Sequence, residues 1–193
     1  IVLDASGNLF IADRENNVVR KVTSTGVVTT YVGTGDSHGS YQDGENAYRT
    51  EVNLDRPRSL AIDANGNLYI FEDHKHGIRK IDTNGIATHV IGDGWGDAEG
   101  DKTQARFRHI TDMEFDSAGN LIVVDEGTDK ISKITFDPGS GAATSTTLAG
   151  SGNRGYFDGP GTDAEFRHPS GIAIDSNDVI YVADQHNHRI RKI

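Results

Sequence analysis

An interval of eighteen residues, repeated four times, constrains this chain more than any other feature of it. Asp4, Asp63, Asp116 and Asp175 each close a short apolar run, and Val22, Ile81, Ile134 and Ile193 follow them 18 residues later. A second acid, Asp13, Glu72, Asp125 or Asp184, falls nine residues after the first in every copy. The copies lie 59, 53 and 59 residues apart, so the chain is an internal array whose units bury their faces against one another.

Each complete copy offers four strand candidates, short apolar or β-branched runs bounded by Asn, Asp and Gly. In the first copy they are 1–3, 9–12, 18–22 and 27–32; in the second, 60–62, 68–71, 78–81 and 86–91. The third supplies 113–115, 121–124, 130–136 and 144–148, and the last copy carries three strands. Four antiparallel strands in a unit of this length are the pattern of a propeller blade. Runs such as Ile180–Ala183 are nearly continuously apolar, where a two-layer sandwich would alternate more cleanly. The expected fold class is all-β, a β-propeller of four-stranded antiparallel blades, three of them full and a fourth three-stranded. Its successive blades are expected at residues 1–59, 60–112, 113–171 and 172–193, within one propeller domain.

A family resemblance follows from particular residues. Asn187-His188-Arg189-Ile190, preceded by Tyr181-Val182-Ala183-Asp184 and by Pro169-Ser170-Gly171-Ile172-Ala173-Ile174-Asp175, resembles the NHL repeat. The resemblance covers essentially the whole chain and weakens in the third copy, where Thr128-Asp129-Lys130-Ile131 stands in the motif. The stretch from Gly155-Tyr156-Phe157-Asp158-Gly159 to Ala164-Glu165-Phe166-Arg167-His168-Pro169 is similar to the glycine-rich connections of bacterial, often extracytoplasmic, NHL proteins. The resemblance implies membership of a larger five- or six-bladed propeller, with further blades or self-association completing the ring; a compact four-bladed ring is the less common alternative. It also implies a secreted, periplasmic or cell-surface location.

Composition removes other classes. The net charge of −10 argues against a nucleic-acid surface, which needs clustered Lys and Arg. No apolar run approaches the ~20 residues of a membrane span. Without cysteine there is no disulfide framework.

Strand parity then sorts the loops. Short Gly/Asn turns between first and second strands share one end with the turns between third and fourth strands. The other end receives the turns between second and third strands and the long connections 33–58, 92–112 and 150–171. Seven of the eight histidines map there: His38, His74, His76, His109, His168, His186 and His188. So do Trp95, Tyr41, Tyr48, Tyr156 and Phe157, with Asp36, Asp43, Asp93, Asp97, Glu99, Asp101 and Asp158. Long loops on a rigid scaffold are where binding usually sits. The ligand-binding candidates are Trp95, His74, His76, His186, His188 and Tyr156; no catalytic or metal-ligating residue is assigned.

Each feature has a plainer reading. Asp13, Glu72, Asp125 and Asp184 suit hydrogen bonding to loop amides. His188 lies inside the repeat motif, which suits a packing or hydrogen-bonding role. His109 and His168 align with Arg56, which argues for a polar structural role there. Trp95 is either an exposed stacking platform or an anchor buried between blades. Tyr156 and Phe157 read first as loop packing. No cofactor is expected, although His74/His76 and His186/His188 are pairs that can ligate a transition metal. The acidic stretch 93–101 could likewise offer oxygens to calcium, without EF-hand spacing.

The expected function is a non-catalytic recognition scaffold binding a glycan or protein partner through the long-loop face. The alternative is a propeller lyase or hydrolase with a metal or His/acid site at the mouth of the central channel. Fold alone does not choose between them.

Overall fold

The computed structural model describes residues 1–36 and 46–193. His38, Tyr41 and Asp43, placed at the long-loop end by the sequence, lie outside the described residues.

The chain is all-β and forms antiparallel sheets in sequence order. The first contains β1 (Val2–Leu3), β2 (Leu9–Asp13), β3 (Val18–Val22) and β4 (Val28–Val32). The second contains β5 (Pro57–Ile62), β6 (Leu68–Glu72), β7 (Gly77–Ile81) and β8 (Ala87–Ile91). The third runs β10 (Ile110–Phe115), β11 (Leu121–Asp125), β12 (Lys130–Phe136), β13 (Ala143–Ala149), with β9 (Gly100–Asp101) added on the outer edge of β13. The fourth holds β14 (Pro169–Ile174), β15 (Ile180–Asp184) and β16 (Arg189–Lys192). The chain divides into two compact units, Ile1–Val90 and Ile91–Ile193.

The first acid of each copy makes the turn between first and second strands. Asp4 Oδ1 accepts from the backbone N–H groups of Ser6 and Asn8, at 2.9 and 2.8 Å. Asp63 does the same for Asn65 and Asn67, and Asp175 for Asn177 and Val179. A carboxylate that accepts two amides mimics the turn's own backbone bond and closes the hairpin. These bonds hold the carboxyls of Asp4 and Asp175 below the usual range, side-chain bonding from Asn8 leading at Asp4 and the Asn177 amide at Asp175.

The second acid joins strands to connections. Glu72 Oε2 accepts from the Asp55 backbone, Asp125 Oδ2 from Arg108 and Asp184 Oδ1 from Arg167, each 17 residues upstream. Three copies add an arginine seven residues downstream: Arg20 to Asp13 at 3.0 Å, Arg79 to Glu72 at 2.9 Å, Arg191 to Asp184 at 3.0 Å. In the third copy Ser132 stands in that place, and burial pushes the Asp125 carboxyl up although it accepts from the amides of Arg108, His109 and Gly127.

Packing follows the same register. In the first unit Phe10, Val19 and Val32 of one sheet meet Leu60, Leu68, Ile70 and Ile81 of the next. In the second unit Ile122, Val124, Ile131 and Ala149 meet Phe166, Ile180 and Val182. Strands β6 and β11 are buried along their whole length. β15 instead leaves Tyr181 exposed.

Two features depart from the sequence expectation. First strands begin earlier, at Pro57, Ile110 and Pro169, because a bulge after each of these residues lets the chain pair before its regular ladder starts. β9 was not anticipated, since a Gly-Asp pair carries no strand propensity and pairs only because the connection passes β13.

Candidate functional site

Trp95 sits between two glycines, and its backbone bridges in parallel to Phe107, with the Gly96 N–H donating to the Phe107 carbonyl at 3.1 Å. Phe107 is buried, so the loop is anchored beneath the indole. The indole itself is 61% exposed, which removes the reading of Trp95 as an anchor buried between blades. The Arg108 guanidinium lies 4.7 Å from its ring centroid, a cation–π distance.

One blade later the construction recurs. Arg154 bridges to Phe166 and the Gly155 N–H donates to the Phe166 carbonyl at 3.2 Å. Tyr156 and Phe157 follow, 65% and 63% exposed. They do not pack the loop, contrary to the first expectation from sequence. Loop anchoring is done instead by buried Phe166 and by Arg191, which donates to the carbonyls of Glu165 and Phe157 and to Asp158. Arg189 places its guanidinium 4.9 Å from the Tyr156 ring centroid.

The histidines have distinct roles. His76 and His188 adopt left-handed backbone (φ 54° for both), in the register where Asn17 (φ 54°) and Asp129 (φ 58°) stand in the other copies. Asn17 and Asp129 use their side chains to accept from the next connection, at the N–H groups of Arg56 (2.9 Å) and His168 (2.7 Å). The shared demand on this position is therefore conformational. His74 is half exposed and pairs through Nδ1 with Asp55 Oδ1 at 3.1 Å. His186 packs against His168, ring centroids 4.3 Å apart and planes tilted by 41°, and His168 Nδ1 lies 3.1 Å from Glu126 Oε1. His74 and His76 belong to the first unit, whereas Trp95, Tyr156, His186 and His188 belong to the second.

The acidic stretch is committed to the protein itself. Asp97 pairs with Lys130 at 2.8 Å, Glu99 accepts from the Thr147 N–H at 2.8 Å, and Asp101 accepts from Thr103 and Gln104. Hydrogen bonding from Thr147 and Thr103, respectively, lowers the Glu99 and Asp101 carboxyls. Carboxylates turned to separate partners do not converge as a calcium cage does. Among the described residues no group of three or more His, Asp or Glu is placed to hold a metal ion.

Sequence reasoning missed Asp112 and Glu114. Both point from β10 to the first strand of the next sheet, and burial raises both carboxyls. The signal was present: the aligned positions are Ser59 and Ala61 in one copy and Gly171 and Ala173 in another.

Sheets of this order and repeat are the blades of a β-propeller. The family model of the NHL repeat matches residues 166–193, the last of the four copies. The chain is similar to NHL repeat-containing protein 2 of Homo sapiens, 26% identical over 167 residues, covering 79% of this chain and 23% of that protein. Its fold resembles an auxiliary nutrient binding protein from Bacteroides thetaiotaomicron, with a TM-score of 0.70 and 21% identity, covering 97% of this chain and 45% of that one. It also resembles the virginiamycin B lyase of Staphylococcus aureus, with a TM-score of 0.58 and 14% identity, covering 100% of this chain and 54% of that one. The chain thus spans about half the length of these solved structures and a quarter or less of the curated relative. Among the described residues no helix is long and apolar enough to cross a membrane.

Proposed function

We propose that this chain is a recognition module that takes a glycan or protein partner on its long loops, outside the cytoplasm. The observation that carries this reading is the Trp95 indole, 61% exposed on a backbone fixed by Phe107 and faced by Arg108. A rigid exposed tryptophan beside an arginine is a typical binding hot spot, because little side-chain freedom is lost on contact. Similarity to a nutrient-binding protein supports the recognition role. Titration of a glycan and secreted-protein panel tests it: Trp95→Ala should weaken the captured ligand by about 1–3 kcal/mol with an unchanged melting temperature. Full affinity in that variant would refute the role of Trp95.

A second reading rests on the Glu126–His168 contact, where a carboxylate orients an imidazole in the manner of a base and its partner. Similarity to a lyase supports it. Turnover of an ester or lactone panel that His168→Ala abolishes would favour this reading over the first.

A further inference from the structure

We infer that Tyr156, Phe157, Asp158 and Arg189 form a saccharide subsite on the fourth sheet, an inference that rests on the long-loop end being the binding surface. The four residues line a recess of about 390 Å³. That volume falls in the small-molecule range of ~300–1,000 Å³, whereas a stable protein partner needs a patch of ~800 Å² per side.

The repeat itself argues that the recess is not scaffold. Phe107 and Phe166 are equivalent, and counting forward from their bridged partners places Asp97 opposite Tyr156 and Lys130 opposite Arg189. In the earlier copy these two positions close on each other as an ion pair at 2.8 Å. In the later copy the carboxylate has become a tyrosine and the ammonium a guanidinium stacked on it at 4.9 Å. A closed pair has given way to an open aromatic face with hydrogen-bond donors at its rim. Asp97 and Ala98, the counterparts of Tyr156 and Phe157, are themselves exposed although another sheet follows theirs. Exposure of these two loop positions therefore recurs in both copies.

The platform is also held still. Arg191 donates to the Phe157 carbonyl at 3.1 Å and to Asp158, while its other nitrogen reaches the buried Asp184 at 3.0 Å. The Glu165 N–H donates to the Phe157 carbonyl at 3.0 Å. Two large aromatic side chains, 65% and 63% exposed, thus project from a pinned backbone at the cost of leaving apolar surface in water.

The chemistry selects the ligand class. The C–H face of a pyranose matches an aromatic plane, and its hydroxyls match a guanidinium, which only donates, together with a carboxylate, which only accepts. A nucleic-acid strand also stacks on aromatics, but it would meet a chain of net charge −10.

The test is titration of neutral and uronate-containing trisaccharides by calorimetry and saturation-transfer NMR, with melting temperature measured on every variant. Tyr156→Ala and Arg189→Ala should each weaken the bound saccharide roughly tenfold, and Tyr156→Phe should keep affinity within about threefold, with melting unchanged. Saturation transfer from Tyr156 and Phe157 ring protons should mark the contact. A saccharide whose affinity falls in Trp95→Ala but not in Tyr156→Ala would overturn the subsite and leave the long-loop reading standing. A saccharide indifferent to all these variants would overturn both. A panel without any binder would overturn the saccharide class.

Discussion

The Asp112 carboxylate accepts the backbone N–H of Ile172 at 3.0 Å. Two residues along the same strand, Glu114 accepts the N–H of Ile174 at the same distance. Alternate N–H groups on one edge of a strand share its two-residue period, so two carboxylates spaced by two on β10 stand in for the missing neighbour of β14. The turn beyond continues the seam, with Ser117 donating through its backbone N–H and hydroxyl to Asp178.

This seam should respond to pH. Burial leads the causes that raise both the Asp112 and Glu114 carboxyls above their ordinary 3.8 and 4.5. The folded chain then binds these protons more tightly than the unfolded chain does. Their contribution is fully present below the ordinary carboxylate range and is lost as pH rises through the raised folded values. Urea unfolding of the chain against Asp112→Asn/Glu114→Gln checks this: the difference in stability should move toward the variant as pH rises from about 4 to 7. A difference independent of pH would contradict it. Asp112→Ala should cost about 1–3 kcal/mol, since the Ile172 N–H loses its acceptor.

The Glu72–Arg79 pair, fully buried at 2.9 Å, should be the most sensitive of the repeated acid–arginine contacts. Arg79→Met is expected to destabilise by up to about 3 kcal/mol, since Glu72 then keeps only Lys75, at 3.1 Å, as its counter-charge among the described residues. Adding Glu72→Gln should recover part of that loss, because a neutral amide still accepts the Asp55 N–H without needing a counter-charge. Denaturant unfolding of the single and double variants measures the recovery.

Gly33 and Gly150 open equivalent connections with φ of 103° and 102°. A Cβ at either would lie 2.7 Å from a backbone oxygen, that of Asn17 or Asp129. Replacement by Ala should cost roughly 1–3 kcal/mol through strain and clash together. Gly7→Ala and Gly119→Ala, where a Cβ meets nothing within 4 Å, should cost less. Thermal melts of the four variants rank them.

His76→Asn and His188→Asn should lower the melting temperature less than Val at the same places, because Asn17 already holds that left-handed position. Val at either place should cost about 1–2 kcal/mol. If either Asn variant keeps its stability but loses ligand affinity, the imidazole contacts ligand and its role exceeds backbone conformation.

The sequence by itself determined the repeat, the strands and the turns, because those depend on contacts within a copy. Asp4 needs only Ser6 and Asn8 to make its turn, and its spacing to Val22 returns wherever the blade returns. The tertiary structure decided what lies between copies. Whether Trp95 faces solvent depends on Phe107, twelve residues away, taking the buried place beneath the loop. His168 meets Glu126 from 42 residues away, and Asp112 meets Ile172 from 60. The backbone bond that joins neighbours in the chain says nothing of such pairs; they follow from how one sheet is laid against the next, where side chains compete for the same buried volume and the same unpaired amides.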